Sequence, residues 1–581
     1  MISMRDGIKL NTVVIAPAHM DKPLPIILLR TPYGANSDLP PQDVEFRILP
    51  IFRYYTMAQE GYIFVWQDIR GKYRSEGKME IHQPLIHETQ KNAVDESTDT
   101  WDAIDWLVKN ISNNNGRVGI TGISYPGWLA LVGGVDPHPA LKASSEQACM
   151  GDLFLGDDFH HNGAFRLSYG MEYTYEVEHD HTTDSDFPFP QFDLFEWYLR
   201  LGSLKNVNEK YLHGTIPTWN NFVKHPNYDS FWQKNSPLSY IHKAQVPQLN
   251  VGGYYDQEDI NGPQLMYAHM EKTDTLHQNH IVLGPWFHGQ WAISPADSIG
   301  KIAFETNTGE WFRALQKNWF DYYLKGIGDG KFEEAYAFQT GSNQWKTYNT
   351  WPPKEAAKKN LYASAGHEAS FVAPSGDGSV SFVSDPATPV PYRTQPIEAT
   401  YGRGSRWRTW HVDDQRFATS RPDVISFSTP VLTADITVTG AIIAHLFAST
   451  TGTDADWIVK LIDVYPQEDS KNLLMSNYQL PVAMEVFRGR FRKSFSNPEA
   501  IVPNQPEEYI INLHEINHVF KKDHKIMIQV QSSWFPVIDR NPQQFIPNIF
   551  EAKETDFLKQ THTIYFSSKY PTHIELPVMN N

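Results

Sequence analysis

Short apolar runs alternate with longer amphipathic segments over residues 1–145 and again over residues 240–334. Between two of the runs, residues 95–110 repeat apolar positions at helical spacing and carry acids near the start, where a helix dipole favours them. Strands that alternate with helices predict a doubly wound, mostly parallel sheet. Four runs are mostly apolar, as expected of strands that are buried on both faces: residues 24–29, 117–121, 247–251 and 281–284.

The rest of the chain has a different character. Residues 146–239 interrupt the alternation with a segment rich in aromatic side chains and helix-like stretches such as 194–201, which predicts a helical cap over a site. Residues 335–581 carry short alternating runs, such as 435–440 and 457–464, broken by proline and glycine, and predict an all-β sandwich. Within it, only residues 374–391 read as loosely structured.

The second of the four apolar runs leads into the sequence G-I-S-Y-P-G at residues 122–127, and a helix-like segment follows at once. A serine hydroxyl is a poor nucleophile at neutral pH, so it must be held on a sharp turn beside a base and close to hydrogen-bond donors. Gly122 permits such a turn, and Pro126 is tolerated in the first turn of a helix. The sequence predicts a nucleophile elbow with Ser124 as the nucleophile, and an ordinary strand-to-helix turn is the alternative.

The third and fourth apolar runs are followed by the other members of a catalytic triad. Asp256 comes shortly after the third run and His288 shortly after the fourth. The chain order Ser, Asp, His is that of the α/β-hydrolase fold, in which histidine is general base and acid and aspartate orients its imidazole. We therefore predict Ser124, Asp256 and His288 as the triad.

A serine hydrolase also needs donors for the oxyanion of the tetrahedral intermediate. The backbone amide of Tyr125, which follows the nucleophile, is the expected first donor. The first apolar run leads into R-T-P-Y-G at residues 30–34, and the phenol of Tyr33 is the candidate for the second donor. Tyr33 is one of 28 tyrosines, and a role in capping the core is the alternative.

Several of these motifs occur together in one known family. The sequence R-T-P-Y, the sequence D-I-R-G-K-Y-R-S-E-G at residues 68–77, the serine elbow, Y-D at 255–256 and G-P-W-F-H at 284–288 resemble the cocaine esterase and α-amino acid ester hydrolase family. That family also includes glutaryl cephalosporin acylases and Xaa-Pro dipeptidyl peptidases. The resemblance spans nearly the whole chain and implies an α/β hydrolase with a helical cap and a C-terminal jelly roll. It implies the same triad, with Tyr33 and the Tyr125 amide as the oxyanion hole.

The acids after the predicted triad aspartate bear on the substrate class. Residues 256–259 read D-Q-E-D, and three carboxylates so close together repel one another unless a cation lies among them. The segment resembles the amino acid ester hydrolase branch, which implies that Glu258, Asp259 and a third acid hold the α-ammonium of the substrate. We choose Asp158 as the third acid and leave Asp157 open. A solvated charge pair is the alternative for Glu258 and Asp259.

Composition excludes several other classes. The chain has 581 residues, a net charge of -17 and no basic run, which disfavours nucleic acid and anionic membrane surfaces as partners. No run of about 18 apolar residues predicts a transmembrane helix, and the single cysteine, Cys149, excludes an internal disulfide. The acids and histidines at 157–161 and 179–181 lack the spacing of metal sites. We expect no metal or cofactor, with the first group lining the acyl pocket and the second forming a solvated turn.

Location and oligomeric state stay open at this point. A predicted strand at residues 8–15 comes without a preceding leader. The resemblance implies a secretory leader, so we expect a periplasmic or secreted protein if one has been removed and a cytoplasmic protein otherwise. Relatives in the ester hydrolase branch often form multimers, so a homo-oligomer is one expectation.

The predicted organisation is an α/β-hydrolase domain at 1–145 and 240–334, a cap at 146–239 and a jelly roll at 335–581. The predicted activity is cleavage of α-amino acid esters through an aminoacyl-enzyme, with transfer to water or to an amine acceptor to give a dipeptide or a β-lactam amide. The alternatives are an esterase for neutral substrates, a glutaryl acylase, an Xaa-Pro dipeptidyl peptidase, or a carbohydrate-binding protein with an inactive hydrolase domain.

Overall fold

The computed structural model describes residues 1–35, 54–87, 90, 92–470 and 472–580. A nine-stranded sheet with the order β9-β8-β7-β6-β5-β4-β2-β3-β1 forms the centre of the first part of the chain. Neighbouring strands are parallel except for the two edge pairs, β1 with β3 and β8 with β9. The strands are β1 (Thr12–Ile15), β2 (Leu24–Thr31), β3 (Ile63–Asp68), β4 (Asn114–Ile123), β5 (Leu141–Gln147), β6 (Gln248–Gly253), β7 (Asn279–Gly284), β8 (Ala335–Gln339) and β9 (Gln344–Tyr348).

Helices cover both faces of this sheet, because successive side chains of a buried strand point to opposite faces. On β2, Ile26 and Leu28 pack in the same core as helix Glu96–Asn110, whereas Ile27 and Leu29 pack in the same core as helix Thr308–Phe320. The side chain of Asp95 accepts from the Thr98 amide at 3.1 Å and so caps the first of these helices. The other helices of this domain are Tyr55–Gln59, Tyr125–Val132, Gly262–Glu271 and Gln290–Ile293.

A cap rich in helices lies between β5 and β6. It begins with three two-residue strands, Gly156–Asp157, His160–His161 and Ala164–Phe165, which form a small antiparallel sheet. Its helices are Leu167–Glu178, Leu194–Leu201, Lys205–Val207 with a π-helical turn Asn208–Leu212, Pro217–Lys224 and Ser230–Asn235.

The C-terminal part is a β-sandwich whose strand pairs are antiparallel apart from one bridge between Glu368 and Ser428. This arrangement, together with the parallel sheet and the cap, confirms the predicted α/β hydrolase with a helical cap and C-terminal jelly roll. Its strands are Ala357–Ser364, Glu368–Ser370, Ser379–Ser384, Ile425–Ser428, Ile436–Thr450, Asp456–Val464, Gln479–Arg488, Glu507–Phe520, Lys525–Gln531, Gln560–Tyr565 and His573–Val578.

Two local predictions differ from the structure. The predicted boundary after residue 334 cuts the central sheet, because β8 and β9 lie beyond it and pair with β7 and with each other. Residues 374–391 are not uniformly loose, since strand Ser379–Ser384 pairs with Gln560–Tyr565 along its whole length. In both places short strands gain their stability from partners distant in sequence, which local composition does not show. No helix among the described residues is long and apolar enough to cross a bilayer.

Candidate active site

Ser124 lies on a sharp turn between β4 and helix Tyr125–Val132. Its backbone has φ 68° and ψ −132°, a strained conformation for a residue with a side chain. Two close backbone approaches keep the turn tight: a Cβ on Gly122 would lie 2.1 Å from the Pro126 carbonyl oxygen, and one on Gly127 would lie 2.4 Å from the Gln147 carbonyl oxygen. In the usual G-x-S-x-G elbow the second glycine stands where this chain has Pro126, and Gly127 comes one position later. Gly127 is needed where the helix passes β5. The predicted elbow geometry is present at Ser124.

Asp256 and His288 meet at the C-terminal ends of neighbouring strands, β6 and β7. The Nδ1 atom of His288 lies 2.9 and 3.0 Å from the two carboxylate oxygens of Asp256. The Asp256 carboxylate is fully buried and also accepts from the amides of Glu258 and Asp259, both at 2.9 Å. His288 and Ser124 line the same cavity, of about 730 Å³. The structure thus brings the three predicted triad residues to one edge of the sheet.

The protonation of His288 depends on two acids. Burial alone would lower the pKa of His288, but the charges of Asp256 and Glu258 outweigh it and raise the pKa to about 9. The Glu258 Oε2 atom lies 3.5 Å from His288 Nε2, the atom that faces away from Asp256. Among the described residues, Nε2 has no hydrogen-bond partner.

Tyr33 lies directly after β2 and also lines the cavity. Its hydroxyl is 3.0 Å from the hydroxyl of Tyr173 on cap helix Leu167–Glu178. Burial raises the pKa of Tyr33 well above its usual value, which keeps the phenol protonated and able to donate. Tyr125, whose amide is the other predicted donor, anchors the start of the elbow helix by stacking on His82 at 4.3 Å.

Glu258 and Asp259 have different environments. Glu258 lines the cavity, and its Oε1 accepts from Trp407 Nε1 at 2.9 Å and from Gln257 Nε2 at 3.2 Å. Asp259 is fully buried, and neither carboxylate oxygen has a hydrogen-bond partner among the described residues. Burial, together with the nearby acids, raises the pKa of Asp259 well above its usual value. An orphaned buried carboxylate of this kind is stabilised when a cation reaches it.

The structure separates the two acids that the sequence left open. The Asp157 carboxylate accepts from four backbone amides, those of Gly151, Asp152, Asn261 and Gly262, at 2.9 to 3.2 Å. Asp158 has a positive φ of 43°, and its carboxylate accepts from Tyr169 at 2.8 Å. Burial raises the pKa of Asp158 to about 6, and the charge of Glu258 adds to the shift. Asp157 therefore ties loops together, whereas the charge of Asp158 interacts with Glu258 and Asp259. Of these three interacting acids, Glu258 lines the cavity, and Asp158 and Asp259 lie buried behind its wall.

The C-terminal domain, together with Arg166 of the cap, supplies parts of this site that the sequence did not indicate. Trp407 reaches Glu258 across 149 positions of the chain. Arg166 donates to the backbone carbonyls of Gln257 and Glu258, and its guanidinium lies 4.5 Å from the Tyr169 ring and 5.6 Å from the Trp407 ring. Residues 400–402, 404, 405, 407 and 408 line the cavity together with the hydrolase domain. The β-sandwich is therefore part of the wall of the site.

Histidines near the start of the cap have a structural environment. His160 is buried and stacks on Phe154 at 4.6 Å. We expected residues 157–161 to line the acyl pocket, but none of them lines the active-site cavity. His161 Nδ1 lies 2.9 Å from Glu485, and His514 Nε2 lies 2.7 Å from the same carboxylate. Burial alone would raise the pKa of Glu485, but the two imidazoles hold it at about 2. These three side chains tie the cap to the β-sandwich. The atoms with which they could bind a metal ion all lie within 4.8 Å of one another, and among the described residues this is the one group of three acids, histidines or cysteines placed in this way.

The sequence is similar to known proteins over nearly its whole length. Residues 6–290 match the family model described as X-Pro dipeptidyl-peptidase (S15 family), and residues 332–575 match its C-terminal non-catalytic domain. A solved α-amino acid ester hydrolase is 38% identical, with a TM-score of 0.94, over 100% of this chain and 95% of that chain. The chain belongs to the cocaine esterase and X-Pro dipeptidyl-peptidase-like family of serine hydrolases.

Other members of this serine hydrolase family are similar over the same length. An aminopeptidase from the marine sediment archaeon Thaumarchaeota archaeon is 40% identical, with a TM-score of 0.97, over 100% of this chain and 96% of that chain. Cocaine esterase from Rhodococcus sp. (strain MB1 Bresler) is 27% identical over 605 residues, 100% of this chain and 98% of that protein. The chain is therefore an enzyme of the serine esterase and peptidase type.

Proposed function

We propose that this hydrolase cleaves esters of α-amino acids that carry a free α-ammonium. The observation that carries the proposal is the buried acid group beside His288: Glu258 faces the ring, and Asp259 has an uncompensated carboxylate. A substrate ammonium supplies the missing positive charge and the hydrogen-bond donors. The likeness to a solved α-amino acid ester hydrolase supports the same substrate class.

The proposed chemistry has two half-reactions. Ser124 Oγ attacks the ester carbonyl while His288 takes its proton, and the Tyr33 hydroxyl and the Tyr125 amide donate to the oxyanion. The tetrahedral intermediate expels the alcohol, which receives the proton from His288, and an aminoacyl ester on Ser124 remains. Water or an amine then attacks this ester, His288 takes the proton of the attacking group, and the proton returns to Ser124 as the acyl group leaves.

In this scheme Glu258, Asp259 and Asp158 bind the ammonium rather than the reacting carbonyl. Burial, with the nearby acids, raises the pKa of Asp259 well above its usual value, so this acid holds a proton when no cation is bound, whereas Asp158, with its pKa raised to about 6, is mostly ionised at neutral pH. A bound ammonium favours the ionised carboxylate of Asp259 and so releases that proton. In this scheme the acids determine the preference for a free amine, and the triad determines the rate of bond breaking.

The test compares alanine methyl ester with its N-acetylated analogue on the native enzyme and on Asp259→Asn. We expect the native enzyme to prefer the free amine and the variant to lose about tenfold or more of that preference, as for a buried charge pair. The N-acetylated ester is the internal control, because it has no ammonium. Equal turnover of both esters by the native enzyme would reject the proposal.

Peptide hydrolysis is a second candidate, favoured by the likeness to the archaeal aminopeptidase. An ammonium site positions the N-terminal residue of a peptide as well as that of an ester, and the same triad cleaves the amide. Alanyl dipeptides assayed beside alanine methyl ester separate the two activities: similar kcat/KM values on both would make the protein an aminopeptidase, and ester-only turnover would exclude that.

A further inference from the structure

Arg408 lies on the wall of the active-site cavity, in the segment of the β-sandwich domain that follows Thr400. The position of the segment is fixed on both sides of the cavity. The Thr400 amide donates to Glu172 of the cap, and the Trp407 indole donates to Glu258. Arg408 comes directly after this second anchor, so its backbone is held close to the acids proposed to bind the ammonium.

The guanidinium of Arg408 carries a charge that nothing in the described chain neutralises. It makes no ion pair or hydrogen bond with any described residue, and it is exposed at the cavity. By contrast, Arg30, which also lines the cavity, is fully buried and pairs with Glu96 at 2.7 Å. Arg408 therefore offers a fork of donors toward the cavity, which suits a carboxylate.

The position of Arg408 relative to the triad indicates which part of a substrate it meets. Its guanidinium carbon lies 5.7 Å from the ring centre of Phe287, the residue before His288. His288 exchanges its proton with the group that leaves the acyl carbonyl or attacks it, whereas Glu258 and Asp259 are assigned to the acyl donor. A cation that packs on the neighbour of His288, in the cavity that His288 also lines, is thus placed for the leaving or attacking group.

We propose that Arg408 binds the carboxylate of the amine partner, so that the preferred acyl acceptor is a free amino acid and the corresponding amide substrate is a dipeptide. The inference rests on the proposed function. In the forward step the amine nitrogen of the acceptor attacks the aminoacyl ester on Ser124, the C–N bond forms and the C–Oγ bond breaks. His288 takes the amine proton and delivers it to Ser124 Oγ. Reversal of these steps cleaves the dipeptide.

The experiment measures how the aminoacyl-enzyme partitions between water and an amine. Alanine methyl ester is supplied with either glutamine or glutaminamide, which differ in the carboxylate, and the ratio of dipeptide to free alanine is followed by chromatography. Because both products arise from one intermediate, a change in acylation rate cancels in this ratio. We call the dipeptide-to-alanine ratio with glutamine, divided by the same ratio with glutaminamide, the quotient. This quotient isolates recognition of the carboxylate.

We expect Arg408→Gln to lower this quotient by about tenfold or more, as for loss of a hydrogen-bonded charged partner. Arg403→Gln is the matched control, because Arg403 is an exposed arginine of the same segment that does not line the cavity, and its quotient should equal the native one. High salt should also lower the native quotient, since an exposed pair is screened. That arm needs no variant and stays informative if Arg408→Gln does not fold.

Two results would overturn the inference. One is an unchanged quotient in Arg408→Gln, and the other is an equal loss in Arg408→Gln and Arg403→Gln. Failure of the underlying function is seen separately, as equal turnover of alanine methyl ester and its N-acetylated analogue by the native enzyme. A preference for the free amine with an unchanged quotient would keep the function and reject the role of Arg408.

Discussion

Replacement of Glu258 by glutamine should change the activity on charged and neutral esters in opposite directions. The Glu258 carboxylate lies 3.5 Å from His288 Nε2, so its charge holds a proton on the atom that must accept one from Ser124. Glutamine keeps the shape and can still accept from Trp407, which bonds to Oε1 in the native protein. The substitution therefore removes mainly the charge.

The size of the effect follows from the distance. Two unit charges 3.5 Å apart interact by about 5 kcal/mol at an effective dielectric constant of about 20, or about three pKa units. The Glu258 charge is shared by two oxygens, one of which also accepts hydrogen bonds. We therefore expect its removal to lower the pKa of His288 by about one to two units. The pKa of His288 then falls from about 9 to about 7 to 8 in the variant.

The assay is the pH dependence of kcat/KM for the N-acetylated ester. His288 acts as a base only when neutral, and with a pKa of about 9 about 1% of it is neutral at pH 7. In Glu258→Gln the neutral fraction rises to about 10 to 50%, so this ester should be cleaved about ten- to fiftyfold faster at pH 7. The free-amine ester loses its ion pair, and its advantage over the N-acetylated ester should fall about 100-fold or more.

Glu176→Gln is the control for this prediction. Glu176 also lines the cavity, but burial raises its pKa to about 8, so it is mostly neutral at pH 7 and its replacement should leave the acid limb of the profile in place. The reasoning would be refuted if Glu258→Gln slowed both esters alike and left the acid limb at the native pH. Glu258 would then act on the shape of the site and not on the charge of His288.

Three further substitutions test other parts of the site. Tyr33→Phe should lower kcat by about 100-fold or more if the phenol stabilises the oxyanion, with little change in the thermal midpoint; unchanged kcat would remove Tyr33 from the oxyanion hole. Gly127→Ala should destabilise the fold by about 1–3 kcal/mol or more, because its Cβ would lie 2.4 Å from a carbonyl oxygen; Gly376→Ala, with nothing within 4 Å of its Cβ, is the thermal-unfolding control. Trp407→Phe should raise KM about tenfold for the free-amine ester alone, since it removes a donor to a charged carboxylate; an equal rise for the N-acetylated ester would assign Trp407 to packing.

Sequence reasoning placed the elbow, Asp256 and His288 because each follows an apolar run directly. Parallel strands end at one edge of a sheet, so residues just past those runs are brought together by the fold itself. Periodicity likewise predicted helix Leu194–Leu201 with its bounds. The edge strand β9 was missed because its five residues are exposed or half-buried and none is fully buried, so the sequence shows no apolar face there. Its place in the sheet is fixed by pairing with β8.

The sequence shows no apolar run or periodicity that predicts the contacts between domains. Trp407, Arg166 and Arg408 come from segments whose sequences show no periodicity that points to the cavity. Their positions depend on how the cap and the β-sandwich pack on the sheet, as seen in the 149-residue separation between Trp407 and Glu258. Long-range packing of this kind is decided by shape complementarity of whole domains, which a single sequence does not display.

The protonation states of the acids show why residue identity and function are separate questions. Three carboxylates in four positions can be read from the sequence, yet Asp256, Glu258 and Asp259 differ in what surrounds them. Asp256 accepts from His288 and two amides, Glu258 accepts from an indole and an amide, and Asp259 has no described partner. The free energy that ionises Asp259 must therefore come from outside the chain, because burial without a partner favours the neutral acid. A ligand that brings a positive charge supplies it, and a neutral analogue of the same shape does not, so the proposed selectivity for a free amine rests on a buried acid without a partner and not on the size of the pocket.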